Sequence, residues 1–226
     1  SVKENATTLA YTYNDTLLKI NFTTVKNTVD TSVIAVYYHG VPVLDATGWG
    51  GFYFNNAQSA QYAWNLGVGF GAKPHNYGRV WFPCFDNFVE RSKYEFHITS
   101  DTLRRAVCNG DLISDQIQNN KRTRVWVMNE EIPSYLACVS LANYSQVNWN
   151  INALNGNKAI TLTANAADTT GLKNAFVNLK NCIHGFENYF GPYMWSRFGY
   201  YLIPFNSGAM EHATNVAIGR SFIDGS

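Results

Sequence analysis

From Thr7 to about Asn165, apolar and polar positions alternate in short runs, among them "LAYTY", "TLLKINF", "SVIAVYYHG", "YEFHIT", "RVWVM", "YLACVSL" and "AITLTA". A period of two sets one face of each run against a core and the other in water, as in half-buried strands. Asn14-Asp15, Gly40 before Val41-Pro42, Asn109-Gly110-Asp111 and Asn155-Gly156-Asn157 punctuate these runs. An Asn-Gly pair tolerates the left-handed backbone of a tight hairpin, so the last of them predicts a hairpin. The series predicts sandwich or saddle-like packed sheets, with no internal repeat.

Near Ala166 the period changes. Asp168-Thr169-Thr170 offers side-chain oxygens to the free amide donors of a helix start, and Leu172, Phe176, Leu179, Ile183, Phe186 and Phe190 follow at mostly three- and four-residue spacing. One amphipathic helix is predicted, ending at Gly191-Pro192, with strands to follow in "YYLIPF" and "VAIGRSFI". The expected fold class is therefore mainly β. A β domain spans residues 1–165, and a helix plus strands over 166–226 open a second, α+β domain. Some sixty residues are too few to close that domain, so it is expected to be incomplete.

Composition narrows the function classes. The 226 residues are enough to bury a substantial core without a metal or a disulfide. A formal charge of +1, with 17 basic and 16 acidic residues in no long blocks, supplies no field for nucleic acid or an anionic membrane. No apolar run reaches the roughly 18 residues of a membrane-spanning helix. The aromatic share of 15% suits pleated, half-buried surfaces and reinforces the β reading. Cys84, Cys108, Cys138 and Cys182 form no C-x-x-C pair and are expected mostly as core thiols.

Recognisable local chemistry is sparse. None of the five histidines stands in H-E-x-x-H, the helical spacing that aims two imidazoles at one zinc. A metal site drawn from distant residues, His75, His212 and Glu211, is the alternative that spacing leaves open. The glycines of "GWGG" and "GVGFG" lack a phosphate-binding pattern and are expected as bulges and turns, and Ser207 is not enclosed as G-x-S-x-G. In "GRVWFPCFDNFVERSKYEF", Phe82, Phe85 and Phe88 are expected to fill a core, and Arg79 or Arg91 to pair with Asp86 or Glu90. The stretch "FNSGAMEHATN" sets a carboxylate, Glu211, in what reads as a buried strand.

Taken together, "HNYGRVWFPCFDNFVERSKYEFHIT", "NGDLI", "EIPSYLACVSLANYS", "FENYFGPY" and "GAMEH" resemble, in order and approximate spacing, the aminopeptidase N family of zinc metallopeptidases. The resemblance covers residues 30 to 226. It implies an N-terminal saddle-like β domain followed by the start of a thermolysin-like catalytic domain, with "GAMEH" matching the family's G-x-M-E-N exopeptidase motif.

The implied substrate-binding residues are Gly208, Ala209, Met210, Glu211 and His212. Gly208 and Ala209 would lie along the substrate backbone, where small side chains permit close approach. Glu211 would receive the α-ammonium of a peptide, which is mainly cationic at neutral pH because its pKa is roughly 8. The partners implied are peptides held by their free amino terminus. The complete protein would use zinc to polarise the scissile carbonyl and activate water.

The chain stops fourteen residues after His212, so the zinc ligands and catalytic residues are expected outside these 226 residues, with no metal bound within them and no activity from them alone. Two departures stand out. His212 replaces the family's usual Asn, and "GAKPHNYGR" carries no acidic residue or Gln before "FPCFD", which leaves His75 or Asn76 to take that contact. Two other readings compete: a catalytically dead relative serving as a protein-interaction scaffold, and an unrelated β-sandwich presenting Trp49, Trp64, Trp149 and Trp195 on one exposed face.

Overall fold

The structure, a computed structural model, describes residues 1–55, 61–205 and 208–224. The chain forms two compact units, Ser1–Pro42 and Val43–Ser226. In the first, β1 (Val2–Glu4), β2 (Thr7–Thr8) and β5 (Ile34–Val36) make an antiparallel sheet in the order β2-β1-β5, and β3 (Ala10–Tyr13) pairs with β4 (Leu18–Asn21). The β3-β4 turn forms at the expected Asn14-Asp15. The Asn14 carboxamide accepts from the Leu17 amide at 2.8 Å, and Asp15 takes a φ of 67°, a conformation that short polar side chains tolerate.

The described residues of the second unit form three sheets. β6 (Gly50–Asn55), β7 (Tyr62–Gly69), β9 (Arg105–Cys108) and β12 (Val139–Ala142) pair in the order β6-β7-β12-β9. β8 (Arg91–Ser100), β10 (Asp111–Gln118) and β11 (Lys121–Pro133) form β10-β11-β8. β13 (Ser145–Ala153), β14 (Gly156–Ala164), β15 (Arg197–Ile203), β16 (Ala209–Met210) and β17 (Val216–Gly219) form a five-stranded mixed sheet, β13-β14-β15-β17-β16. The Asn155-Gly156 hairpin lies where expected, joining β13 to β14 with Ala153 opposite Gly156. The five-stranded sheet takes two strands from before residue 165 and three from after it, so its hydrogen bonding runs without a break across that position.

Period-two alternation along β15 makes this sheet the shared wall of two cores. Tyr201 and Ile203 face a core with Trp64, Leu66, Val107 and Trp126, supplied by the other two sheets. Phe198 and Leu202 face the opposite way, into a core with Leu162, α1 (Thr169–Ala175) and α2 (Leu179–Phe190). A short α3 (Ser221–Asp224) follows β17.

The predicted single helix is two. Its apolar stripe would bury Phe186 and Phe190, yet these are 65% and 81% exposed, and α2 buries Ile183 and Glu187 instead. Glu187 turns inward because its carboxylate accepts from the Tyr193 amide at 3.0 Å and the Leu154 amide at 3.1 Å. The helical run is interrupted at 176–178, between α1 and α2. The helix end at Gly191 is as predicted, with φ 84° at the cap. Asp168 stands at the N-cap of α1 but makes no side-chain capping bond, because its carboxylate holds Arg220 at 3.0 Å.

Other expectations divide. Arg79 does pair with Asp86, at 2.6 Å, but Phe85 is 82% exposed and Phe88 is also exposed, so of the three phenylalanines only Phe82 packs on the core. The glycine stretches supply a register bulge between Gly50 and Phe52. Cys108 and Cys138 are buried thiols, whereas Cys84 is half-buried and Cys182 exposed. Among the described residues no helix is long and apolar enough to cross a membrane.

Candidate functional site

β16 ends the five-stranded sheet: it pairs antiparallel with β17 through Ala209–Ile218 and Met210–Ala217, and among the described residues no strand of the sheet lies beyond it. The period of two continues through the residues after it. Met210 and His212 point into the core, while Ala209 and Glu211 are exposed. The carboxylate in an apparently buried strand is thereby explained, because Glu211 lies past the end of β16 on its wet side. Among the described residues Glu211 has no hydrogen-bond or ion-pair partner. Gly208 is half-exposed at φ +132°, a backbone conformation that strains other residues, and a Cβ placed there would meet only Trp49 Cζ2, at 3.9 Å. Ser207, discussed above, lies outside the described residues.

A buried clamp follows Glu211. His212 is 1% exposed, and its Nδ1 lies 3.1 Å from the Tyr201 hydroxyl. Burial disfavours its imidazolium and lowers its pKa from 6.5 to about 3, against a smaller opposing effect of the Leu66 backbone. The fully buried Asn109 carboxamide donates to the Ala213 carbonyl at 2.7 Å and the Leu136 carbonyl at 2.8 Å, and accepts from the Cys138 amide at 2.6 Å. The Gly110 amide donates to the Thr214 hydroxyl at 2.7 Å. Thr214 is held at φ 64°, unusual for a β-branched residue, so this contact belongs to an over-determined turn. Gly110 has no substitute here: at φ +74° any Cβ would lie 1.9 Å from the Val127 carbonyl oxygen.

Beneath the clamp lies Arg197, 4% exposed. It donates to the Gly110 and Cys108 carbonyls and sits 5.0 Å over the Trp126 ring. The "NGDLI" stretch is therefore no hairpin turn. It carries the chain from one sheet to another and buttresses the segment after Glu211.

His75 and Asn76 are placed differently from each other. Asn76 is fully buried, and its amide donates to the Asp86 main-chain carbonyl, which ties the "FPCFD" segment down. The Asp86 carboxylate also accepts from the Gly78 amide at 3.1 Å and the Ser134 hydroxyl at 2.9 Å. Burial pushes its pKa up, but Arg79 and the other donors outweigh burial and hold it below the usual carboxylate range. His75 is exposed, its Nδ1 3.1 Å from the Gly69 carbonyl, and its ring stands edge-on to Phe70 with centroids 6.2 Å apart. Phe70 stacks on Trp49 at 4.2 Å, and Trp49 borders Gly208, so a chain of rings connects His75 to the β16 edge.

Sequence reasoning missed Phe70 and Asp45, and it named Trp49 only as one of four tryptophans on a common exposed face. The Asp45 carboxylate accepts from Thr47 Oγ1 at 2.5 Å, the Gly71 amide at 2.9 Å and the Ala72 amide at 3.1 Å, and the Thr47 hydroxyl is the main cause of its lowered pKa. The Asp45-Ala-Thr47 spacing was the available signal, an Asx-type turn.

The described residues contain no group of three His, Cys, Asp or Glu side chains that would hold a metal. His75, His212 and Glu211 form none, because Glu211 and His212 point to opposite sides of the chain. These residues do not fit a zinc ion. Nor do the four tryptophans line one exposed face: Trp64 is 1% exposed, and Trp49, Trp149 and Trp195 pack against three different cores.

No family model matches the chain. Over 67 residues it is 33% identical to transcription initiation factor TFIID subunit 2 of Gallus gallus, a stretch that is 30% of this chain and 6% of that one. Among solved structures, the M1 zinc metallopeptidase of Deinococcus radiodurans matches 96% of the chain with a TM-score of 0.80 at 16% identity, and 49% of its own length is covered. A two-domain M1 zinc metallopeptidase bound to L-tryptophan matches 99% with a TM-score of 0.83 at 15% identity, 50% of its length being covered. Yeast LTA4 hydrolase matches 98% with a TM-score of 0.70 at 14% identity, with 33% of its length covered. The chain spans half or less of each of these proteins, and the likeness is one of fold. Over nearly its whole length, then, the chain has the fold of the M1 zinc metallopeptidases, including their N-terminal β domain.

Proposed function

We propose that this chain is the peptide-amine-binding part of a zinc aminopeptidase, with residues 166–226 opening the catalytic domain and the zinc ligands supplied by polypeptide beyond these residues. The observation that carries the reading is Glu211: an exposed carboxylate without a partner among the described residues, immediately after a strand whose outer edge is open. An extended peptide can pair with such an edge through main-chain hydrogen bonds, and the carboxylate then meets its α-ammonium with a charge-assisted bond. Gly208 and Ala209 leave room for that approach, while Met210 and His212 anchor the strand from within. Asn76 serves as support, and His75 borders the site. Holding the ammonium at a fixed place restricts what can react to the first peptide bond. The chain alone hydrolyses no aminoacyl reporter on this reading.

Calorimetric titration with Ala-Ala-amide and its N-acetylated form tests the assignment. The free amine is expected to bind and the acetylated peptide not, and Glu211→Gln is expected to weaken binding about ten-fold or more, the worth of a charge-assisted bond. Equal binding of both peptides, or indifference to Glu211→Gln, would remove Glu211 from its role.

One observation favours a second reading, a protein-interaction scaffold without peptidase activity. The chain's 33% identical curated relative is named as a transcription initiation factor subunit. Failure of every free-amine peptide to bind supports the scaffold.

A further inference from the structure

We infer that the cavity between the loop of residues 82–90 and β8 is a second binding site, one that takes a small organic cation with an aromatic or alkyl body. It shares no wall residue with the β16 edge. The cavity holds about 250 Å³, just below the range of drug-sized pockets, and the rings of Phe82, Phe85 and Tyr94 form its apolar walls. Phe82 and Tyr94 stand edge to face with centroids 6.1 Å apart, and Phe85, 82% exposed, stands at the mouth. The faces of such rings carry partial negative charge and attract a cation.

Glu90 supplies the formal charge. It is one of the cavity's walls, and among the described residues its carboxylate has no hydrogen-bond or ion-pair partner. The neighbouring Asp86 carboxylate is already held by Arg79 at 2.6 Å and by the Ser134 hydroxyl at 2.9 Å. On β8, Ser92 and Tyr94 face the cavity, whereas Arg91 and Lys93 alternate with them and line none of it. With no basic wall to offset Glu90, a cation is preferred over an anion. Burial pushes the Cys84 thiol and the Tyr94 phenol up to about 12, so both stay neutral at pH 7 and leave that balance unchanged.

The walls are in place before any ligand arrives. The Asn87 carboxamide accepts from the Val89 amide at 2.9 Å and the Glu90 amide at 2.7 Å, which fixes the loop around Glu90. Phe88 packs edge-on against Tyr135 with centroids 5.2 Å apart, and the Asp86 bonds tie down the stretch between Phe85 and Asn87. A ligand therefore gains its ring and charge contacts without the entropy cost of ordering the loop.

Calorimetric titration at pH 7 with phenethylammonium and its neutral counterpart 2-phenylethanol tests the site. Glu211 also offers a carboxylate to an amine, so the titrations are run in a Glu211→Gln background. There the cation is expected to bind about five-fold more tightly than the alcohol, the worth of one partly exposed charge contact. Adding Glu90→Gln is expected to erase that advantage, and adding Phe85→Ala to weaken both ligands. Both side chains are exposed, and circular dichroism checks that the variants fold. Equal binding of the two ligands in the Glu211→Gln background, or an advantage that survives Glu90→Gln, overturns the site, and neither result touches the role proposed for Glu211.

Discussion

The chain is expected to lose stability steadily as the pH falls from 6.5 to 4.5, and His212→Gln is expected to remove most of that loss. His212 is buried against Tyr201, with a folded pKa of about 3 against 6.5 for the free side chain. Below pH 6.5 the unfolded state takes up a proton that the folded state refuses, so protonation pulls the equilibrium toward unfolding. One such group costs about 1.4 kcal/mol per pH unit until the folded pKa is reached, roughly 2.5 kcal/mol over this window.

The carboxylates work at lower pH. Asp45 and Asp86 have depressed pKa values, so their contribution is present above the ordinary carboxylate range and lost as the pH falls below it. Urea unfolding at several pH values reads the difference between parent and variant. Gln keeps a polar amide in reach of the Tyr201 hydroxyl, so the neutral-pH loss should be smaller than the acid effect it removes. Parallel pH dependence in the two proteins would show that His212 is not the group responsible.

The second large effect is expected at Asn109. Asn109→Asp changes almost no volume, yet it faces two carbonyl oxygens, of Leu136 and Ala213, with a carboxylate that cannot donate to either. The site is fully buried, so water cannot repair the mismatch. The expected loss is about 3–5 kcal/mol at neutral pH, in the range for an uncompensated buried charge. A loss below about 1 kcal/mol in urea unfolding would mean that the Ala213–Thr214 turn is held by something else. The same variant bears on the site, because Ala213 lies two residues from Glu211. A chain that stays folded should show weaker discrimination between free and acetylated peptides as the turn loosens.

These two residues also mark where sequence reading stops. Strands such as β11 and β14 were legible because one face is the more buried and burial writes itself as alternation, whereas β7 is buried along nearly its whole length and carries no such signal. Asn14-Asp15 and Asn155-Gly156 were legible because their turns need backbone conformations that few residues adopt. The helix was half legible. Its apolar stripe identified helical structure, but the inward face of α2 is set by Glu187, a carboxylate that no hydrophobic pattern would place inside.

The candidate site divides in the same way. Glu211 and Gly208 stand out in "GAMEH" as a short local string. Asp45 turns locally onto Thr47, but it reaches Gly71 and Ala72 across 26 and 27 positions, and Trp49 meets Phe70 across a comparable gap, which a single sequence does not pair. Asn109 reaches the Ala213 carbonyl across 104 positions, and Arg197 the Gly110 carbonyl across 87. A buried amide or guanidinium reads in sequence as an ordinary polar residue.

By itself, then, the sequence determined the mainly β character, most strand positions and the carboxylate at residue 211, because local sterics and one-sided burial act over a few residues at a time. Only tertiary structure decided that Glu211 faces water while His212 is sealed in the core, that Asn109 and Gly110 brace the turn beyond them, and that Trp49 and Phe70 border Gly208. Those outcomes depend on which distant backbone donors and acceptors must be satisfied once water is excluded. That requirement arises only when the sheets have packed together.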